Sequence, residues 1–402
     1  MKTSDSVELV LVLLVVLFLE INLCASPDEP SGSGYVKICK SSVAGTLLAV
    51  LVVLVIVCLL LIIMKYVVKN RIQKSAKGKV NCTWSGFYRF SKAEIEHAMN
   101  FSRRKVSLGA GNAGHVYKGI LPSGQVVVIK HIFRKNNTPD SFTRELEALS
   151  RIRHPNLVSL LGCCSENSEL YLVYEYCCNG NLAQHLTKRE STLSWAKRVE
   201  ILRDCAKALR FLHRYPEGCI VHKAIKLTNV LLTEDMKPKL SDFGLAELLE
   251  MEETMPIYRG HRGSIGYIDP EYMSTAKLTC ASDIYSLGMI MLQLLSGRKL
   301  IELDLDARDQ LTRKAKDVVM RKRPLADFED PRLNGYLNVE DFESILQLAV
   351  LCSSKSSKLR PTIDVVLEEL DKIWNRTKGS EKAKNKTSSA TPLSKSLELM
   401  EV

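Results

Sequence analysis

Two stretches of this chain are apolar throughout. The rest alternates with periods that separate helices from strands. Leu9 to Leu19 is an apolar run of eleven residues behind Lys2, followed by Leu23-Cys24-Ala25. A positive start, an apolar core and a small-residue site predict a secretory signal over residues 1–25. Glu8 and Glu20 flank the core, so an uncleaved membrane anchor is the alternative. Val43 to Met64 is 22 residues without a charge. As a helix it spans roughly 33 Å, enough for a hydrocarbon core of about 30 Å. Lys65, Lys69, Arg71, Lys74, Lys77 and Lys79 follow it and set that side as cytoplasmic. The same cluster suits contact with anionic lipid or a plain stop-transfer flank.

Shorter patterns predict the remaining elements. Ile95, Ala98 and Met99 share one helical face, as do Phe142, Leu146 and Leu149 in a helix over 141–151. Val199, Leu202, Ala206, Leu209 and Leu212 recur at three to four residues and predict a helix over 195–213. His115-Val116-Tyr117, a Pro122-Ser123-Gly124 turn and Val126 to Lys130 read as strand, turn, strand. Val230 to Leu232 and Pro238 to Leu240 read as short strands. Residues 26–42 are Ser, Gly, Pro and charge, too short and polar to bury a core, so no folded ectodomain is expected. Residues 375–402 are Lys, Ser and Thr and read as a disordered tail.

Composition changes this picture little. With 402 residues, 46% hydrophobic and 25% charged, the chain holds one large or two medium globular domains. The net charge of +11 is concentrated after the apolar span and in the tail, which argues against a nucleic-acid surface on the folded part. Cys163-Cys164 and Cys177-Cys178 lack Cys-x-x-Cys spacing and read as buried free thiols in a reducing compartment.

The chemistry-bearing residues fall between these elements. Leu108, Gly109, Ala110, Gly111, Asn112, Ala113 and Gly114 form a glycine-rich run, and glycine lets backbone amides approach phosphate closely. A dinucleotide-binding turn is the rival, but it would lead into a helix. Here the flanks are strands, so the glycines cap a hairpin. Lys130 ends the second strand of that hairpin. Farther on, His222, Lys226 and Asn229 precede Asp242-Phe243-Gly244.

In this order and spacing, the motifs over residues ~90 to 374 resemble those of plant receptor-like kinases. The resemblance implies an α+β, two-lobed protein kinase fold at 103–374, preceded by a single transmembrane helix and a basic juxtamembrane segment at 65–102. It also implies site roles. ATP with Mg2+ would lie under the glycine loop, with Val116 and Val128 around the adenine. Lys130 would hold phosphates and pair with Glu145, Glu147 being the alternative. Tyr174 would stand at the gatekeeper place, with Glu175 to Cys177 facing the adenine. Asn229 and Asp242 would hold metal. Asp283 would lead a buried central helix, and Arg360 would pair with Glu271. Thr254, Tyr258 and Ser264 are candidate phosphosites.

Four positions depart from that pattern. Ala224 stands where the catalytic aspartate belongs, although Lys226 is retained. Lys223 replaces the arginine that reads activation-loop phosphate, Ala113 replaces an aromatic, and Val128 replaces a small residue. Two functions follow. One is an inactive, membrane-tethered binding partner of other receptor kinases or cytoplasmic signalling proteins, with weakened ATP binding. The other is a working Ser/Thr kinase of reduced rate.

Overall fold

The computed structural model describes Val53, Val57, Leu60, Leu61, Met64 and residues 87–102, 104–111, 114–133, 141–187, 193–249, 265–298, 305–333 and 337–388. The chain divides into two units, Met1–Thr83 and Trp84–Val402. In the first, only the five single positions named above are described, all of them helical. The signal at 1–25, the segment at 26–42, most of the apolar span at 43–64 and the basic cluster lie outside the described residues. Among the described residues no helix is long and apolar enough to cross a membrane.

In the second unit, a six-stranded sheet forms a small lobe. Its strands are β1 (Tyr88–Arg89), β2 (Val106–Gly111), β3 (Gly114–Ile120), β4 (Val126–Ile132), β5 (Leu160–Glu166) and β6 (Glu169–Glu175), in the order β1-β5-β6-β4-β3-β2. β1 runs parallel to β5, and the other pairs are antiparallel. The pleat sends alternate residues of β4 to opposite faces. Val127 and Ile129 are fully buried on one face, so Val128 and Lys130 fall on the other.

The buried face of β4 is covered by α1 (Lys92–Met99). Ser91 and Glu94 cap this helix reciprocally, the expected product of a Ser-x-x-Glu start. Ile95, Ala98 and Met99 then pack with Phe90, Val127, Ile129, Tyr171 and Val173. The helical face read from the sequence is the buried one, and it packs on the sheet of the small lobe.

Glycine has a structural reason at one loop position. A Cβ on Gly114, whose φ is +149°, would sit 1.8 Å from the His131 carbonyl oxygen on the neighbouring strand. Gly109 has open space around it. Gly114→Ala should therefore cost roughly 2–4 kcal/mol from strained backbone and steric overlap together. Gly109→Ala should stay within about 1 kcal/mol. Urea unfolding of the two variants checks the contrast.

The large lobe is helical. It contains α3 (Leu182–Thr187), α4 (Trp195–His213), α5 (Pro270–Thr275), α6 (Cys280–Ser296), α7 (Leu305–Val319), α8 (Val339–Cys352) and α9 (Ile363–Ser388); α2 (Ser141–Arg151) belongs to the small lobe. All five residues of the predicted α4 stripe are buried, and α6 is buried along nearly its whole length. A buried ion pair, Arg198 to Asp330 at 2.7 Å, is completed by Arg198 donating to the Leu294 carbonyl of α6. One apolar core runs from Phe142 and Leu146 of α2 through α4 and α6 to Leu370 of α9. Between the helices lie short paired strands, β7 (Cys219–Val221) with β10 (Glu247–Leu249) and β8 (Val230–Leu232) with β9 (Pro238–Leu240).

Three expectations need correction. The tail read as disordered from 375 is helical to Ser388, in continuation of α9; 389–402 lie outside the described residues. Of the four thiols read as buried, Cys164 and Cys177 are buried, Cys163 is half-buried and Cys178 is exposed. Arg360 pairs with Asp269 and not Glu271, its two terminal nitrogens lying 2.7 and 2.5 Å from the carboxylate. Asp269 caps α5 and its short side chain stays beside the buried guanidinium. Glu271, two residues along, instead accepts from the Ser357 N–H and hydroxyl.

Candidate active site

The cleft between the lobes is built from the ends of several elements. β4 delivers Lys130, and β3 sets Val116 opposite it in register. α2 delivers Glu145, which is 1% exposed and lies 2.8 Å from the Lys130 ammonium. Glu147 is exposed on the opposite side of α2, which settles the choice between them. Lys130 also meets Asp242 at 2.9 Å. Burial disfavours the charged amine, but the Glu145 and Asp242 carboxylates outweigh it and raise the Lys130 pKa above its usual 10.5. Burial would likewise push Asp242 up, yet Lys130, with His222 and Lys226 beyond it, holds it below the usual 3.8. Both groups are therefore charged at neutral pH.

Asp242 has φ +68° and ψ +71°, a left-handed conformation that Asp tolerates better than most residues. This turn directs Phe243 inward, where it is fully buried, its ring 4.5 Å from His222. Arg144 of α2 donates to the Gly244 carbonyl at 3.2 Å and ties the helix to the same turn. Sequence reasoning missed Arg144, since nothing in its local pattern distinguishes it from a solvated helix arginine.

The loop from His222 to Asn229 is held by its backbone. The N–H groups of His222 and Lys223 donate to Asp283, at 2.8 and 2.9 Å. The Asn229 side-chain amide donates to the Ala224 carbonyl at 2.8 Å, and the Ala224 N–H donates to His222 Nδ1 at 3.3 Å. His222 is fully buried, which lowers its pKa below 6.5 and keeps the ring neutral. A methyl group stands on this fixed loop where the resemblance requires a carboxylate. Lys223 sits at φ +65°, and its ammonium lies 3.1 Å from Glu247 on β10 and 5.8 Å from the centre of the Tyr272 ring. Both side chains of that pair are largely buried. Glu247 was not anticipated, because only the β7–β10 pairing brings it to Lys223.

The residues expected beside the adenine lie on β3, on β4, on β6 and just after it. Tyr174 is buried on β6, and burial with the nearby Glu145 carboxylate pushes its phenol well above 10. Val128 lies opposite Tyr174 in register and packs on the core. Cys177 is buried. The Glu175 carboxylate is turned to Lys239 at 2.9 Å and the Ser159 N–H at 2.7 Å, which removes its side chain from any role at the adenine. In the glycine loop, Leu108, Gly109 and Ala110 are exposed on β2, and Gly111 is paired with Gly114. Asn112, Ala113, Thr254, Tyr258 and Ser264 lie outside the described residues. Lys226 keeps its place beside Asp242 as one of the cations lowering its pKa.

The donor set fits a nucleotide triphosphate with its metal. A buried cation suits phosphate oxygens, while a side-chain amide oxygen and a carboxylate suit Mg2+. A strand-rich lobe over a helical lobe, with this constellation between them, defines the protein kinase architecture. The whole chain agrees: residues 102–370 match the family model described as "Protein kinase domain". The chain belongs to the protein kinase family, whose domains use ATP and Mg2+, and its relatives include plant receptor-like serine/threonine kinases.

Three Arabidopsis thaliana proteins illustrate the likeness. The chain is 38% identical over 302 residues to "Probable serine/threonine-protein kinase PBL28", covering 72% of this chain and 80% of that one. It is 36% identical over 289 residues to "Receptor-like serine/threonine-protein kinase ALE2", covering 71% and 38%. It is 39% identical over 295 residues to "Receptor-like protein kinase ANXUR2", covering 70% and 33%. The match spans well under two thirds of the last two relatives.

Proposed function

We propose that this chain is a membrane-anchored receptor-like pseudokinase, which retains nucleotide binding, transfers phosphate at near-background rate and signals as a binding or allosteric partner of other kinases. The observation that carries this reading is Ala224. A bound ATP–Mg2+ complex would supply the transferable phosphoryl group. Lys130 would hold its oxygens, and Asn229 and Asp242 its metal. No side chain at 224 accepts the proton of an attacking hydroxyl. Positioned acid–base groups contribute about 10²–10⁴ in rate, so typical kinase turnover of ~1–100 s⁻¹ would fall to residual levels.

The membrane placement rests on the uncharged run at 43–64 and its basic flank. Leu60, Leu61 and Met64 are helical and more than half exposed, as lipid-facing positions would be. The partner role is consistent with relatives that carry the name of receptor kinase. One observation favours the reduced-rate Ser/Thr kinase instead. The Lys130–Glu145 pair is formed, and phosphoryl transfer owes most of its catalysis to positioning and electrostatics.

Radiolabelled phosphate transfer by the purified chain separates the two. Near-background transfer is expected, together with a rise in melting temperature of about 2–5 °C at millimolar Mg-ATP. That shift should vanish in Lys130→Ala. Transfer at an ordinary kinase rate, abolished by Lys130→Ala, would end the pseudokinase reading.

A further inference from the structure

Cys219 and Cys280 are 61 residues apart in sequence, and their sulfur atoms meet, with Cα atoms 6.9 Å apart, at the long edge of what a disulfide spans. Cys219 opens β7, which runs directly into His222, and Cys280 opens α6, which carries Asp283. Asp283 already accepts from the His222 and Lys223 amides, so a bond between the two sulfurs would double a junction otherwise held by hydrogen bonds. In the same strand pair, Leu249 of β10 lies opposite Cys219. The pair thus sits where the catalytic loop, the start of the activation segment and the central helix meet. Both cysteines are half-buried, within reach of a small solute.

We propose that this pair is a reversible oxidation site, closed by hydrogen peroxide and opened by cellular thiols, which locks the catalytic loop and β10 onto α6. This rests on the cytoplasmic placement proposed above, where thiols are the resting state. In the oxidation, one thiolate displaces hydroxide from peroxide to give a sulfenic acid. The second sulfur attacks it, the S–S bond forms, and water leaves. Overall, two thiols and one peroxide give one disulfide and two waters.

Four of the other described thiols suit selectivity, while half-buried Cys163 is an accessible competitor. Burial raises Cys164 to about 11 and Cys177 and Cys352 to about 12, and raises Cys205 as well, so little thiolate is present on any of them. Cys178 is exposed and serves as an internal control.

The test uses the full chain in detergent micelles, alkylated after dithiothreitol or after peroxide and read by peptide mass spectrometry. A linked Cys219–Cys280 peptide is expected after peroxide, lost again in dithiothreitol, and absent in Cys280→Ser. Closing so long a loop should raise the melting temperature of the oxidised form by roughly 5–10 °C over the reduced form. Amide exchange over 222–224 and 247–249 should slow in parallel. The wild-type comparison needs no variant, so misfolding of Cys280→Ser leaves the test intact. The proposal is overturned if the pair stays reduced in peroxide that oxidises Cys178, or if the bond survives millimolar dithiothreitol. Equal melting of the two forms would also overturn it. Cells lysed into alkylating agent without added peroxide should show free thiols; a permanent bond there would overturn the switch and point to an oxidising compartment. Phosphate transfer is a separate readout, so failure of the pseudokinase reading leaves this test untouched.

Discussion

Ala224→Asp is expected to raise autophosphorylation from near background by a large part of the ~10²–10⁴ that a positioned base supplies. That gain corresponds to about 3–5 kcal/mol of barrier. The groups around position 224 already stand in place. Asn229 holds the Ala224 carbonyl, His222 accepts its N–H, and Asp283 fixes the two preceding amides. The restored carboxylate would enter a loop that needs no rearrangement, with Lys226 close to the same turn to balance its charge. Across the cleft, the Lys130–Glu145 pair is formed and Phe243 is buried.

Recovery should still be incomplete. The Lys223 ammonium is already committed to Glu247, so it offers no arginine fork to a phosphorylated activation segment. Ala113 leaves the glycine loop without its aromatic tip. Adding Lys223→Arg and Ala113→Phe should raise the rate further, measured as γ-phosphate incorporation per mole of protein. If the triple variant stays silent while keeping its Mg-ATP melting shift, the defect lies in the alignment of bound nucleotide. Val128, opposite Tyr174, is then the next position to change.

What the sequence made legible was local. The glycine hairpin, the helix bearing Glu145 and the loop around Ala224 each sit inside a short pattern whose spacing fixes its geometry. The resemblance favoured Glu145 and left Glu147 open; the structure decides, because Glu145 shares the buried side of α2 with Phe142 and Leu146. Pairings across long separations were not readable. Lys223 meets Glu247 only because β7 and β10 pair, and Cys219 meets Cys280 across 61 residues. Arg360 had two acidic candidates two residues apart at the start of α5. Asp269, at the N-cap, lies beside the buried guanidinium while Glu271 turns to Ser357, and no sequence period encodes that choice. The docking of α1 on the sheet escaped for the same reason: an amphipathic stripe says that a face is buried but not against what.

Asp283→Ala should be among the most destabilising single changes in the chain, costing roughly 3–5 kcal/mol. Its carboxylate is fully buried and accepts from the His222 and Lys223 amides and from His213 Nε2, at 2.8, 2.9 and 3.1 Å. Removing it leaves two amides and an imidazole without their acceptor in a water-poor junction. Against a typical domain stability of about 5–15 kcal/mol, the loss is a third or more in most cases. Asp283→Asn keeps one acceptor oxygen and should cost less.

The pH dependence distinguishes this from a simple packing defect. Burial would raise the Asp283 pKa, but His213 and His222 hold it below 3.8, so its contribution is present above that value and lost as pH falls through the folded one. Burial lowers His222, so below about 6.5 the unfolded chain takes up a proton that the folded chain refuses, and stability falls with acidification. The wild type should therefore hold steady above pH ~6.5, decline below it, and decline more steeply below ~4. In Asp283→Ala the steep acid limb should shrink. The shoulder below 6.5 should persist or deepen, because His222 stays buried and has lost the carboxylate that partly supported its charge. Urea midpoints measured from about pH 2 to 8 would show it, and an unchanged acid limb in the variant would remove Asp283 as its source.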